Sequence, residues 1–205
     1  MHIIYIIKQY KEICEMVYKS QEVNYITFEQ MNLINDMRRI WAQLALYTRE
    51  FMISTAGELG DLEVVGARLY QVPRDLYNRL QLFFGPVMAE QFLTLFSQNV
   101  VITASLITAL KDNNIEAVNS STTRLYQNAD EISAFLAQMN SYWDEQLWRD
   151  LLYRYISMTI DQAVARMGGE YQRDMDIFGR IVTHNYIMAD YMARGIMQNL
   201  TVNPQ

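Results

Sequence analysis

The sequence predicts an all-α fold, an antiparallel up-and-down bundle of about five to six long helices. Three observations carry that expectation. Only eight Gly and three Pro punctuate 205 residues, too few for many short strands joined by tight turns. Apolar residues recur at steps of three and four over long stretches, the spacing of one helix face. The stretches are separated by roughly two to five residues, and long helices joined so briefly must fold back beside one another.

Residues 1–26 place Ile3, Ile6, Ile7, Tyr10, Ile13, Cys14 and Val17 at helical spacing and read as an N-terminal helical extension. The β-branched Ile at its start leaves a strand-like alternative open. Residues 27–200 are expected to form the bundle and 201–205 a disordered tail.

The bundle opens at Thr27, which with Gln30 matches a capping box: hydroxyl and amide satisfy free N–H groups at a helix start. Ile34, Met37, Trp41, Leu44, Thr48 and Phe51 then trace one face until the GELGD stretch, Gly57 to Asp61. A second helix starts near Asp61 and is expected to be interrupted at Pro73, which lacks an N–H and whose ring clashes with the preceding turn. It resumes through Leu76 and Leu80 to Phe84-Gly85-Pro86, with Gly past one helix end and Pro at the next start.

A third helix runs from Pro86 to Lys111, with Met88, Phe92, Leu95, Asn99, Thr103, Leu106 and Leu110 along one side. Asn113 with Glu116 resembles a second cap. Ile115, Val118, Thr122, Leu125, Ala129, Ile132, Leu136 and Met139 then keep a heptad seam. Asn140 to Tyr142 form a turn, and Asp144 and Glu145 place negative charge in the first turn of the next helix. Trp148, Leu151, Tyr155, Met158 and Gln162 line that helix until Gly168-Gly169 stops it. The last helix covers residues 170–199, with Ile177, Ile181, His184, Met188, Tyr191 and Gly195 on one face. Trp41-x-x-Leu44 and Trp148-x-x-Leu151 form a short internal echo.

The formal charge of −6 and pI of 4.9 repel polyanions, and no Lys/Arg cluster overrides that field, so nucleic acid and anionic membrane surfaces are poor partners. Cys14 is the only cysteine, which gives no internal disulfide. The apolar run Ile3–Ile7 lacks a basic flank and a cleavage site, and no run approaches the ~20 apolar residues that span a bilayer. The chain reads as cytoplasmic.

Catalytic signatures are missing. There is no G-x-x-x-x-G-K loop and no G-x-G-x-x-G after a strand, which excludes a nucleotide-dependent kinase. No Glu-x-x-His occurs, and the two histidines are His2 and His184, so no metal site and no cofactor are expected. Cys14 has no Cys/His signature, and the pairs Asp130-Glu131 and Asp144-Glu145 are adjacent rather than on one face.

What remains is polar residues on inward faces. Thr48, Asn99, Thr103, Tyr155, Gln162 and His184 come from four helices. Buried polar groups need partners, so they form either a hydrogen-bond network across the core or a small-ligand pocket. Thr48, Asn99, Tyr155 and His184 are the candidate ligand-binding residues. The count of 14 Tyr and 13 Met suits a self-association interface.

Four segments, IWAQLALYTRE (40–50), NADEISAFLAQMNSYW (128–143), LLYRYISMTIDQAVARM (151–167) and IMADYMARGI (187–196), carry a resemblance to an uncharacterised all-helical family of spore-forming bacteria, over residues 34–200. Its members often bear an acetylglutamate kinase label, which the missing phosphate loop makes untenable for this chain. In the family pattern His stands where this sequence has Leu44, Asn99 and Tyr155, and the position of His184 is often polar. Relatives with several His there are similar to ferritin-like or hemerythrin-like bundles; this chain keeps one of the four.

The expected function is therefore non-catalytic: a bundle acting through contacts with a protein partner or with itself, as a homo-oligomer, with a sporulation or stress role implied by the resemblance. The alternative is a metal- or small-ligand-binding bundle with a polar core site, degenerate in this member, for which iron, manganese or zinc would be the metal.

Overall fold

The computed structural model describes residues 26–202 and is helical, with no strand among those residues. It divides into two units at Met31/Asn32. The described part of the first unit is the opening of α1 (Phe28–Gly57), where Thr27 and Gln30 close the expected capping box. The Thr27 amide donates to Gln30 Oε1 at 3.0 Å, and the Gln30 amide donates to Thr27 Oγ1 at 3.2 Å. The expected extension 1–26 lies almost wholly outside the described residues.

The second unit holds the rest of α1 with α2 (Leu62–Lys111), α3 (Ile115–Met139), α4 (Glu145–Met167) and α5 (Tyr171–Val202). These helices pack against one another as a bundle. α5 continues two residues past the expected end of the bundle, and the remainder of the expected tail lies outside the described residues.

Two proline readings met different outcomes. Pro73 does not interrupt α2: the ring fits helical φ, and what is forgone is the amide bond to the carbonyl one turn back. Pro73 and its neighbour Val72 are buried, so packing on both sides offsets that loss. Gly85 does break it, at φ 76° and ψ 165°, a conformation open essentially only to glycine. The two halves, 62–84 and 86–111, are thus separate arms.

Three of the helix stops use one device. The Leu59 amide donates to the Ser54 carbonyl at 2.9 Å, Asn114 to Ala109 at 3.0 Å, and Glu170 to Ala165 at 2.9 Å. In each case the preceding residue is left-handed: Glu58 at φ 51°, Asn113 at φ 53° and Gly169 at φ 73°. Asn113 is therefore a stop for α2, and the cap of α3 falls one residue later. Asn114 Oδ1 accepts from the Ala117 amide at 3.0 Å, while Asp144 Oδ1 caps α4 by accepting from Leu147 at 2.7 Å.

The core is aromatic where α1, α2 and α4 meet. Trp41 sits 5.6 Å from Phe96 and stacks on Trp148 at 6.4 Å and 21°. The two tryptophans of the sequence echo are thus ring-to-ring neighbours. Trp148 in turn meets Trp143 edge-on at 6.2 Å and Tyr191 at 5.1 Å. The fourth wall is α5, where Asn185 Nδ2 donates to the Trp41 carbonyl at 2.8 Å and Met188, Met192 and Ile196 are fully buried. Fully enclosed side chains of this size each gain about 1.5–3 kcal/mol over exposure.

By length and composition α2 is the one helix among the described residues long and apolar enough to cross a bilayer, a property that the core helix of a bundle shares. Of its most apolar window, 56% is buried inside the protein.

Candidate functional site

The four candidate residues occupy three separate neighbourhoods. Thr48 and Tyr155 are brought together. One heptad below the Trp41/Trp148 stack on α1 and α4, both are 3% exposed. Burial pushes the Tyr155 hydroxyl above its ordinary pKa, while the Thr48 and Thr159 hydroxyls beside it pull the other way. Thr159 Oγ1 donates to the Tyr155 carbonyl at 2.8 Å, whereas Thr48 Oγ1 closes no hydrogen bond of ordinary geometry.

Asn99 is used elsewhere, between α2 and α3. Its Nδ2 donates to Asn128 Oδ1 at 2.9 Å, Asn128 Nδ2 donates to the Leu95 carbonyl at 3.0 Å, and Thr103 Oγ1 donates to the Asn99 carbonyl at 2.9 Å. Each amide satisfies the other or the backbone, which is what a buried pair of this type requires. Asn128 was not anticipated, although its place one residue before the seam position Ala129 is a signal for it.

His184 lies between α4 and α5 and is 5% exposed. Its Nε2 donates to the Leu151 carbonyl at 2.8 Å. Burial holds its pKa below the usual histidine value; the Leu151 carbonyl opposes that, and the positive Arg154 nearby reinforces it. The ring is neutral at neutral pH, with Nε2 committed and Nδ1 free of any partner among the described residues.

The one fully buried carboxylate among the described residues is one that sequence reasoning missed. Asp174, in the first turn of α5, is fully buried. It receives Gln162 Nε2 at 2.8 Å, Arg49 Nη2 at 3.1 Å and Arg166 Nη1 at 3.4 Å, from α4, α1 and α4 respectively. Arg49 also lies 5.2 Å over the Phe178 ring, and Arg166 lies 4.9 Å over that of Tyr171. Two guanidiniums on one carboxylate leave the Nε of each buried and unpartnered. Gln162 was placed on an inward face; the missing signal was that the carboxylate it serves follows the Gly168-Gly169 stop by one turn.

Chemically, these arrangements hydrogen-bond and neutralise; none pairs a nucleophile with a base. Among the described residues, no three or more His, Cys, Asp or Glu side chains converge to hold a metal ion. The concave features are surface grooves, among them one of about 380 Å³ beside His184. No protein-family model matches the chain, and no curated protein or solved structure is significantly similar to it.

Proposed function

We propose that this chain is a non-catalytic, cytoplasmic helical bundle that works by self-association, as a homo-oligomer, through the second half of α2. The observation that supports it is an uncharged exposed strip. No Asp, Glu, Lys or Arg occurs between Glu90 and Lys111, and Thr94, Gln98, Val101, Ser105 and Thr108 stand exposed along one side. Val101, 49% exposed, is shared by two adjoining hollows of about 400 and 370 Å³, one lined by Leu93 and Ile102 with Arg124 from α3, the other by Phe51 and Tyr70 with Asp112, so that charge enters only from outside the strip. Interface cores are depleted of charge, and on a chain of net charge −6 a second copy meets least repulsion along such a strip.

The reading takes the bundle as antiparallel, of four-helix or ferritin-like type. Contact numbering supports this: Arg38 meets Asp190 where Arg49 meets Asp174, and Tyr191 meets Trp148 where Asp174 meets Gln162. Numbers fall along one helix as they rise along its neighbour.

Sedimentation equilibrium on the wild type and Val101→Lys tests it. The wild type is expected to run as a dimer or larger. The variant should be monomeric with unchanged helical circular dichroism. A monomeric wild type at tens of micromolar overturns the proposal.

A further inference from the structure

Most arginines of the bundle face carboxylates: Arg38, Arg49, Arg68, Arg79, Arg149 and Arg166 all sit within 3.4 Å of one. Arg124, Arg154 and Arg180 have no ion pair and no hydrogen bond among the described residues. Two of these three, Arg154 from α4 and Arg180 from α5, line the same groove of about 380 Å³. Asp176 is the one carboxylate lining it, and it already accepts from Gln172 Nε2 at 3.0 Å. On a chain of net charge −6, this groove sets two cations against the single carboxylate of Asp176, which pairs with neither, and so keeps a local excess of positive charge.

The groove also has a floor that folding does not explain. Gly179 sits in the interior of α5, where glycine costs about 1 kcal/mol against alanine. A Cβ built there meets nothing within 4 Å, so packing does not demand glycine. Its absence bares the backbone to whatever lies in the groove. The Thr183 hydroxyl donates to the Gly179 carbonyl at 3.0 Å, His184 closes one side, and Met158 and Ile187 give an apolar wall. The guanidinium is a planar fork of donors matched to oxyanions, and such charge-assisted bonds are the strong ones.

We propose that this groove binds a small organic molecule through an oxyanion, a carboxylate or a phosphate, held by Arg154 and Arg180, with its carbon skeleton over Gly179 and against Met158 and Ile187. The volume suits a small molecule, and sites of this kind begin at about 300 Å³. A polyanion would need a longer basic track and would be repelled by the rest of the surface. The hollow lined by Lys111 and Arg166 is a weaker candidate, because Glu58 and Asp174 already meet those cations.

The test is calorimetric titration of the full chain with inorganic phosphate, phenyl phosphate, acetate and benzoate at constant ionic strength, with the His184 ring followed by NMR. Saturable binding that shifts the His184 resonances is expected, with the aromatic member of each pair the tighter. Response to the phosphates or to the carboxylates assigns the anion. Arg154→Gln and Arg180→Gln should each weaken binding about tenfold, the loss of one charge-assisted bond. Gly179→Ala should weaken the aromatic ligands while leaving the fold intact. No saturable response to any probe, reproduction of the response by chloride, or undiminished binding in the double arginine variant overturns the proposal.

Discussion

Replacing Gly195 by Ala puts a methyl group where an indole already lies. Gly195 is buried on α5, and the ring of Trp143 rests on its Cα: a Cβ there would sit 2.8 Å from Cε2, with the Nε1 and Cδ1 atoms nearer still. The indole cannot retreat, since Phe84 packs at 5.4 Å on one side and Trp148 at 6.2 Å on another. Overpacking of a filled core costs about 1–3 kcal/mol, and this contact lies at the upper end. Against it stands the helix propensity of Ala over Gly, about 1 kcal/mol. The net is a loss of ~2 kcal/mol, or roughly 4–8 °C in Tm for a domain of this size. Gly179 supplies the control on the same helix. With nothing within 4 Å of its Cβ, propensity acts alone and Gly179→Ala should stabilise by about 1 kcal/mol. Urea denaturation followed by far-UV circular dichroism reads both. Opposite signs support the argument, and a stabilising Gly195→Ala refutes it. In a Trp143→Ala background the Gly195 penalty should vanish, a coupling that only direct contact produces.

Asp174→Asn should destabilise by about 3–5 kcal/mol, because it leaves two partly buried guanidiniums without their carboxylate; a shift under a third of that in the urea midpoint would mean that water reaches the site. Tyr155→Phe removes a buried hydroxyl that faces Thr48 and Thr159 and should cost ~1 kcal/mol, and an unchanged melting curve would show that its contacts with water were as good. Burial holds the His184 pKa down, so the unfolded chain takes up its proton more readily than the folded one. The stability contributed by neutral His184 is therefore whole above about pH 6.5 and lost as pH falls through its lowered folded value. His184→Gln should flatten that acid limb in urea midpoints measured across it, and parallel curves for variant and wild type would refute the assignment.

The helices were legible because each carries its own apolar stripe. Trp41, Leu44 and Thr48, or Ile177, Ile181 and His184, name their inward faces without reference to any partner. Stops were legible where glycine marked them, at Gly85 and Gly169. Glu58 took the same left-handed role inside the expected Gly57–Asp61 stop, whereas Asn113 did so without such a mark, and the cap of α3 was displaced by one residue in consequence. Pro73 misled because its cost was read locally, while its compensation is burial against other helices. Among the candidate residues, facing inward was predictable and meeting was not. Thr48 finds Tyr155, but Asn99 turns to Asn128 and His184 to Leu151, since helix phase fixes a direction and leaves the neighbour undetermined. Asp174 was invisible for a related reason: an acidic residue in a first turn reads as a dipole partner until its neighbours are known.

That carboxylate bears on the order in which the chain can assemble. Gln162 and Arg166 lie 12 and 8 residues before it, whereas Arg49 lies 125 residues away. Closing a short loop is entropically cheaper than closing a long one, so α4 and α5 can gather around Asp174 while α1 is still remote. The half-built site then carries one cation on one anion, and α1 arrives with a second guanidinium that only the correct axial position satisfies. A slip of α1 by a turn would strand Arg49 against hydrocarbon beside Phe178. The charge thus favours one axial position of α1 over misaligned packings that the apolar stripes alone would tolerate.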